Sequence, residues 1–303
     1  MKLTYHEGLN FGDAINPLLF KKLLPHFFNE NKKDLFLGIG SILGLKRPYE
    51  ETENIVVFSS GFGANAESTY GRLPTMKELI KYDIRCVRGP LTADLLNLPK
   101  SKAICDGAIL LPEFFPHKEK KLFQYSYMPH VGSFAFFSGW KPLMESLGIH
   151  LIDPRDSPIK IIKEINQTEI LFAEAMHGAI CADAYRVPWV PINTSNTINA
   201  FKWRDYCLSM SIDYTANHTS TLYDNDMLYD IAFSKFNNHL LSRIASQSYF
   251  FYQNMIVERQ VKLFFNKVKM ISPTLCQKSV LEDNRYRLLK ELQSFKEDYN
   301  HLR

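Results

Sequence analysis

His177 lies in a segment with the features of an anion site. Residues 169–173 form an apolar run typical of a buried strand, and residues 179–185 are alanine-rich and predict a helix. His177 therefore falls at a helix N-terminus beyond the carboxyl end of a strand, where open α/β sheets bind ligands. Free N–H groups suit an anion there, and Gly178 permits close approach to the backbone. Two interpretations stay open: His177 does proton chemistry on a small phosphorylated anion, or it only caps the helix.

Two further charged side chains fall at the starts of predicted helices. Arg88 follows an apolar strand, and an arginine there can hold a carboxylate or phosphate through two parallel hydrogen bonds. Asp13 precedes a helix predicted over residues 18–24, with Pro17 at its first position. The alternatives are a surface salt bridge for Arg88 and a plain helix-entry turn for Asp13.

Glycine-rich turns follow two apolar runs, at residues 34–44 and 55–63. Such runs predict parallel strands whose loops share one edge of a sheet. The first resembles a dinucleotide fingerprint, but its glycines are spaced GxGxxxG and no acidic residue is well placed after it, so a nicotinamide site is weakly supported. A strand is also predicted over residues 103–105, after which Asp106 either lines the cleft or shapes an Asp-Gly turn.

Strand and helix alternate in both halves of the chain, with a charged, turn-like segment at residues 114–121 between them. This pattern predicts two parallel-sheet α/β domains that face each other across a cleft. We place the domains at residues 1–115 and 116–215, followed by a helical extension over 216–303.

Composition narrows the function class. The 303 residues are 46% hydrophobic and 22% charged, with a net charge of +4, which is typical of a globular protein and argues against a nucleic-acid partner. Five scattered cysteines without a CxxC pair argue against a disulfide framework and against a zinc site. No signal-type start and no apolar run of about 20 residues is present, so we expect a cytoplasmic protein.

The C-terminal third predicts helices with two possible uses. Residues 248–270 mix aromatic and basic side chains, typical of either a peripheral helix on the inner face of the cell membrane or an amphipathic helix packed on the protein body. Apolar residues recur at helical spacing from Leu288 to Leu302, which indicates a packing or dimer helix and leaves a homo-oligomer open.

Seven short motifs carry a resemblance to a known family. They are NFGD at 10–13, VRGPLT at 87–92, CDGA at 105–108, MPH at 128–130, LIDPR at 151–155, EAMHGA at 174–179 and FKWRD at 201–205. Each is weak alone, but the seven occur in the order found in the polysaccharide pyruvyltransferase family, particularly its succinoglycan-type ketal pyruvyltransferases. The chain resembles that family over roughly residues 8 to 206.

The resemblance implies two Rossmann-like domains in a glycosyltransferase-B-like arrangement. It also implies transfer of the carboxyethylidene group of phosphoenolpyruvate to two hydroxyls of a sugar in an exopolysaccharide or capsule repeat unit. The products are a cyclic pyruvate ketal and free phosphate, and no metal or nicotinamide cofactor is required. The acceptor is a glycan or a lipid-linked oligosaccharide.

The resemblance also implies roles for individual residues. His177 becomes the acid/base at the phosphoenolpyruvate, Arg88 and Lys202 hold its anionic groups, and Asp13 lies on the acceptor side. Our own mechanistic hypothesis adds that Asp13 or Glu174 accepts a hydroxyl proton or orients His177. The remaining expected substrate contacts are Asn10, Gly178 and Asp106.

One position departs from the family pattern. Many members carry an arginine two residues before the motif histidine, where this chain has Ala175. We expect Arg204 or His130 to replace that anion contact.

Two other functions stay open at this point. A nucleotide-sugar-dependent glycosyltransferase would have the same predicted architecture. A non-catalytic glycan-binding or assembly protein is the other, although a neutral glycan needs no cations such as Arg88, His177 and Lys202.

Overall fold

Two parallel β-sheets form the framework of the protein. The structure, a computed structural model, describes residues 1–44, 52–63, 71–116 and 119–302. The first sheet has the order β1-β2-β3-β4, with β1 (Lys2–Thr4), β2 (Asp34–Leu37), β3 (Asn54–Ser60) and β4 (Tyr82–Val87). The second has the order β6-β5-β7-β8-β9, with β5 (Phe123–Met128), β6 (His150–Leu151), β7 (Thr168–Ala173), β8 (Trp189–Asn193) and β9 (Asn217–His218). The predicted α/β class is confirmed, whereas the glycosyltransferase-B-like arrangement and the domain boundaries stay predictions.

Helices flank these sheets and fill the C-terminal third. The first half contains α1 (Phe11–Leu23), α2 (Pro90–Leu95) and α3 (Leu111–Phe114). The second half contains α4 (Val131–Phe136), α5 (Trp140–Ser146), α6 (Pro158–Asn166), α7 (Met176–Ala184) and α8 (Ala200–Ser209). The last third contains α9 (Asn225–Phe236), α10 (His239–Tyr252), α11 (Glu258–Val268) and α12 (Lys278–Asp298), with a π-helical turn (Gln253–Val257) between α10 and α11.

Alternating side chains bury both faces of each sheet. In the first sheet, Phe36 and Val56 enter one apolar core while Leu37 and Val57 enter another. This alternation follows from the period of two along a strand. The first of these cores also contains residues of the second half, such as Ile180, so the two halves share one continuous apolar interior.

The prediction that the first helix begins at Pro17 is wrong, because α1 begins at Phe11 and Pro17 lies inside it. Proline has no N–H and leaves the carbonyl four residues earlier, that of Asp13, without its helical partner. The buried Asn16 amide donates to that carbonyl at 3.1 Å, which lets the helix continue. Asp13 therefore stands in the first turn of α1, and Asn10 caps it.

The strand predicted over residues 103–105 is also wrong. Ala103 makes a single parallel bridge to Val87, and the chain then turns into a short helix at Gly107–Leu110. Asp106 causes this turn, since its Oδ1 accepts the Ala108 N–H at 3.0 Å and caps the short helix.

Helix α12 packs back onto the first sheet. Its Phe295 ring lies 5.4 Å from that of Phe27 and 5.5 Å from that of Phe36, measured between centroids. Arg285 on the same helix donates to the Ile109 carbonyl at 3.0 Å and to the Ala184 carbonyl at 2.6 Å. One side chain near the end of the chain thus contacts both halves of the molecule.

Candidate active site

His177 stands on the first turn of α7, beside a buried carboxylate. Its side chain is 13% exposed, and its Nε2 lies 3.6 Å from Oδ2 of the fully buried Asp106. Within the described residues, neither atom has a hydrogen-bond partner. The separation is too long for a hydrogen bond but close enough for attraction once the imidazole is protonated. Asp106, predicted as a substrate contact, therefore stands next to the histidine as a group that can orient it.

The first turn of α1 lies against the other side of the same imidazole. A Cβ on Gly12 would collide with Nδ1 of His177, so only glycine leaves room for the ring at this position. Asp13 follows, 9% exposed, and accepts a hydrogen bond from the Asn10 amide at 2.7 Å. Burial raises the pKa of the Asp13 carboxyl, while nearby His177, Asn10 and Lys202 oppose that rise. The predicted pair of Asp13 and His177 is thus brought together from opposite halves of the chain.

His130 caps α4 and presents a neutral imidazole. Its Nδ1 accepts the Gly132 N–H at 3.1 Å, which assigns the ring proton to Nε2. Burial, together with the positive charge of nearby Lys202, lowers the pKa of His130 to about 4. The ring can therefore donate one hydrogen bond to an anion at neutral pH, but it does not replace the positive charge of a missing arginine.

We expect His130 to protonate at about pH 4, below the 6.5 of an ordinary imidazole. As pH falls through that interval the unfolded chain binds the proton first, so this residue's contribution to stability is lost on acidification. His130→Asn keeps a helix cap and removes the titration, and its stability should vary less with pH there than that of the wild type. Asp13 and Glu174, whose raised pKa values act in the opposite sense, are present in both proteins. An imidazole NMR titration that instead centres near 6.5 contradicts the assignment.

Glu174 is held by four hydrogen bonds at the carboxyl end of β7. Its Oε1 accepts from the Thr194 N–H at 2.6 Å and the Thr194 hydroxyl at 2.8 Å. Its Oε2 accepts from the His130 N–H at 2.9 Å and the Tyr127 hydroxyl at 3.1 Å. Burial raises the pKa of the carboxyl. Through these hydrogen bonds Glu174 links the carboxyl ends of β5, β7 and β8. Its catalytic role stays a prediction.

Arg88 lies fully buried between the two halves. Its Nε is 3.1 Å from Oδ2 of Asp205, which is also fully buried, and Nη1 donates to Ser41 Oγ at 2.9 Å. Nη2 donates to the Phe62 carbonyl at 2.7 Å. Asp205 also accepts from the Thr92 N–H and hydroxyl at 3.0 and 2.6 Å. The guanidinium charge is thus already matched within the protein, while its predicted contact with a substrate anion stays a prediction.

The remaining predicted residues are placed differently from one another. Lys202, on the first turn of α8, is near enough to Asp13 and His130 to lower both of their pKa values. Arg204 on the same helix is exposed. Gly178 is buried, and a Cβ there would meet the Met128 sulfur at 2.7 Å, so the close neighbour at this glycine is a side chain of the protein.

The N-terminus of α7 carries unused donors. Ala175 caps the helix without a side-chain hydrogen bond, whereas the Gly178 and Ala179 N–H groups bond back to its carbonyl. Among the described parts of the chain, the Met176 and His177 N–H groups have no such acceptor. Two N–H groups at a helix N-terminus suit an oxyanion.

Sequence reasoning missed several contributors to this arrangement. Asp205 was part of a quoted motif but is separated from Arg88 by 117 positions. A buried pair at that distance leaves no local signal. Gly12 was visible in the NFGD motif, and its packing against His177 explains why a glycine stands there. Over residues 1–44, 52–63, 71–116 and 119–302, no three His, Cys, Asp or Glu side chains are grouped to hold a metal ion. The expectation that no metal or other cofactor takes part stays a prediction.

Comparison with known proteins decides the family. The sequence profile described as polysaccharide pyruvyl transferase matches residues 45–196. The succinoglycan biosynthesis protein ExoV of Rhizobium meliloti (strain 1021) is 39% identical over 219 residues, which cover 71% of this chain and 66% of that protein. This chain belongs to the polysaccharide pyruvyl transferase family. It spans just under two thirds of the curated relative's length. No solved structure matches it significantly.

Membership in the polysaccharide pyruvyl transferase family confirms the resemblance seen in the seven motifs. The profile match includes Arg88, Asp106, Glu174 and His177. Asp13 lies before the matched residues and Lys202 after them. The candidate site of this family member therefore combines residues within the matched range with residues on either side of it.

Proposed function

We propose that this chain transfers a pyruvyl group from phosphoenolpyruvate to two hydroxyls of a sugar in an exopolysaccharide repeat unit, forming a cyclic ketal. The observation that carries the proposal is the placement of His177 between Asp106 and the first turn of α1, at a helix N-terminus with unused N–H donors. Family membership supports pyruvyl transfer, and the relative's name as a succinoglycan biosynthesis protein supports a polysaccharide acceptor.

The donor's charge is met in part by α7. Phosphoenolpyruvate carries about three negative charges near neutral pH, a load that suits a helix N-terminus together with cationic side chains. Lys202 supplies one positive charge close to Asp13 and His130, and His177 supplies another when it is protonated. The charge of Arg88 is already balanced by Asp205. In this proposal Lys202, His177 and the N-terminus of α7 therefore neutralise most of the donor's negative charge.

Proton transfer follows from the position of His177. In the proposed reaction its imidazolium gives a proton to the methylene carbon, and the first sugar hydroxyl attacks the adjacent carbon. Asp13 takes that hydroxyl's proton and returns it to His177. The carbon–oxygen bond to phosphate then breaks, the second hydroxyl closes the ketal, and its proton leaves with the phosphate. The Asp106 carboxylate stabilises the imidazolium form, and burial helps Asp13 act as a base because it raises its pKa.

Ligand protection from heat unfolding tests the donor. At a hundredfold excess over Kd a ligand adds about 2.7 kcal/mol of stability, so phosphoenolpyruvate is expected to raise the unfolding midpoint by about 4 °C. Lys202→Gln should reduce this shift, whereas Lys21→Gln, an exposed lysine on α1, should not. Mass spectrometry of an oligosaccharide acceptor should then show the added carboxyethylidene group.

Three results count against the proposal. Protection by a nucleotide sugar but not by phosphoenolpyruvate would indicate a glycosyltransferase instead. Equal protection by inorganic phosphate would show an unspecific anion site. Protection by phosphoenolpyruvate without any mass change on acceptors from the cell's own polysaccharide would exclude transfer to that class of glycan.

A further inference from the structure

Helices α10 and α11, joined by the π-helical turn, form one uninterrupted helical rod from His239 to Val268. One side of the rod is buried against the protein. The buried residues, spaced by three, four or seven positions, are Ser242, Ser246, Gln253, Val257, Val261, Phe265 and Val268. From Val257 onward these side chains join the apolar core that contains Tyr127 and Phe172 of the second sheet. This explains why the rod stays on the body.

The opposite side of the rod carries large apolar side chains that are exposed to solvent. We call them the outer stripe: Leu240 (68% exposed), Ile244 (54%), Phe251 (67%), Met255 (60%) and Leu263 (61%). Each precedes a buried residue by two positions, which on a helix is a rotation of roughly 200°. The outer stripe therefore points away from the body and runs for about 35 Å along the rod.

The same segment carries mostly positive charge. Residues 239–270 contain five cations, Arg243, Arg259, Lys262, Lys267 and Lys269, and one carboxylate, Glu258, so their net charge is 5 − 1 = +4. The whole chain also has a net charge of +4, which means that the other residues sum to zero. Glu258 is paired with Lys262 at 2.7 Å, and Lys269 donates to the Leu147 carbonyl on the body. The neighbouring α9 adds Asp226, Asp230 and Lys235.

An exposed apolar stripe with flanking cations fits the surface of an anionic bilayer. A second copy of the chain fits less well, because a symmetric interface would bring two +4 faces together. None of the helices in the described residues is both long enough and apolar enough to cross a membrane, so the expected contact lies at the surface.

We propose that the outer stripe, with Arg243, Arg259 and Lys267 beside it, docks this protein on membranes that contain anionic phospholipid. The stripe enters the acyl boundary while the cations face the headgroups. This inference does not depend on the proposed reaction, because no residue of the stripe belongs to the site around His177.

Vesicle flotation of the full chain tests the inference. The purified protein is expected to float with equimolar phosphatidylcholine–phosphatidylglycerol vesicles, to bind phosphatidylcholine vesicles far more weakly, and to detach as salt is raised. Phe251→Ser with Met255→Ser should lower the partition coefficient roughly a hundredfold. Arg259→Gln and Lys267→Gln should each lower it about fivefold.

Matched controls use residues outside the rod. Ile80→Ser removes an apolar side chain that is 85% exposed, and Lys290→Gln removes an exposed cation on α12, so neither should change binding. Circular dichroism checks that all variants are folded. Absence of binding, equal binding to both vesicle types, or equal loss in stripe and control variants overturns the inference. If the protein is a dimer in solution and the stripe variants dissociate it, the surface belongs to a second copy of the chain, and the inference is overturned as well.

Discussion

His177→Ala is expected to lower phosphoenolpyruvate-dependent phosphate release about 100- to 10,000-fold, the usual contribution of a positioned acid/base. The loss arises because His177 is held both beside the unused N–H donors of α7 and against the first turn of α1. The ring is mostly buried, but its Nε2 has no hydrogen-bond partner in the described residues, so the variant should stay folded with a modest fall in the unfolding midpoint. Phosphate release in the presence of an acceptor measures the first effect and circular dichroism the second.

A graded series separates chemistry from structure. Asp106→Asn keeps the cap on the Ala108 N–H and removes only the charge next to His177, so it should give a smaller loss and displace the pH–rate profile. His218→Ala, an exposed histidine on β9, should behave as the wild type. Near-normal phosphate release by folded His177→Ala would contradict the assigned role. An Asp106→Asn profile with unchanged pH dependence would reduce Asp106 to a helix cap.

Arg88→Ala is expected to cost about 3–5 kcal/mol of unfolding free energy, because it leaves the Asp205 carboxylate buried without its cation. Urea unfolding measures the loss. Lys33→Ala breaks an ion pair of similar length, 2.8 Å to Glu53, but both side chains there are about two thirds exposed. That control should cost no more than about 1 kcal/mol.

The double variant Arg88→Ala/Asp205→Ala measures the coupling free energy between the two side chains. Removing both charges should cost less than the sum of the single variants, since neither charge is then left alone. Additive losses would mean that the two side chains do not act as a pair. If Arg88→Ala unfolds at the wild-type urea concentration and only raises the KM for phosphoenolpyruvate, the guanidinium serves the substrate, as the family resemblance implies.

Local patterns predicted the surroundings of His177 well. The strand, the short loop and the helix from Thr168 to Ala184 occur as expected, because apolar periodicity and turn residues act over a few positions. The start of α1 around Asp13 was predicted less well, since Pro17 is a strong local signal for a helix start but lies inside the helix. Asn16 satisfies the carbonyl that Pro17 leaves without a partner, and it also bonds to Ile39, a residue distant in sequence.

Contacts between the halves were beyond sequence reasoning. The approach of Asp106 to His177 and the pairing of Arg88 with Asp205 depend on how distant segments pack. Residue types alone made Arg88, Asp106 and His177 candidates for chemistry or for salt bridges, whereas Asp205 stood out only as part of a motif. Packing divides them into a pair at the candidate site and a pair inside the protein.

The return of α12 to the first sheet has a consequence for how the chain is made. The rings of Phe27 and Phe36 are covered by Phe295, and Arg85 of β4 pairs with Asp298. During synthesis the N-terminal sheet emerges from the ribosome long before residues 278–298 exist. Its aromatic face therefore stays exposed to solvent until α12 has been synthesised. Such an exposed apolar face is prone to misassembly and is a surface that a chaperone can bind.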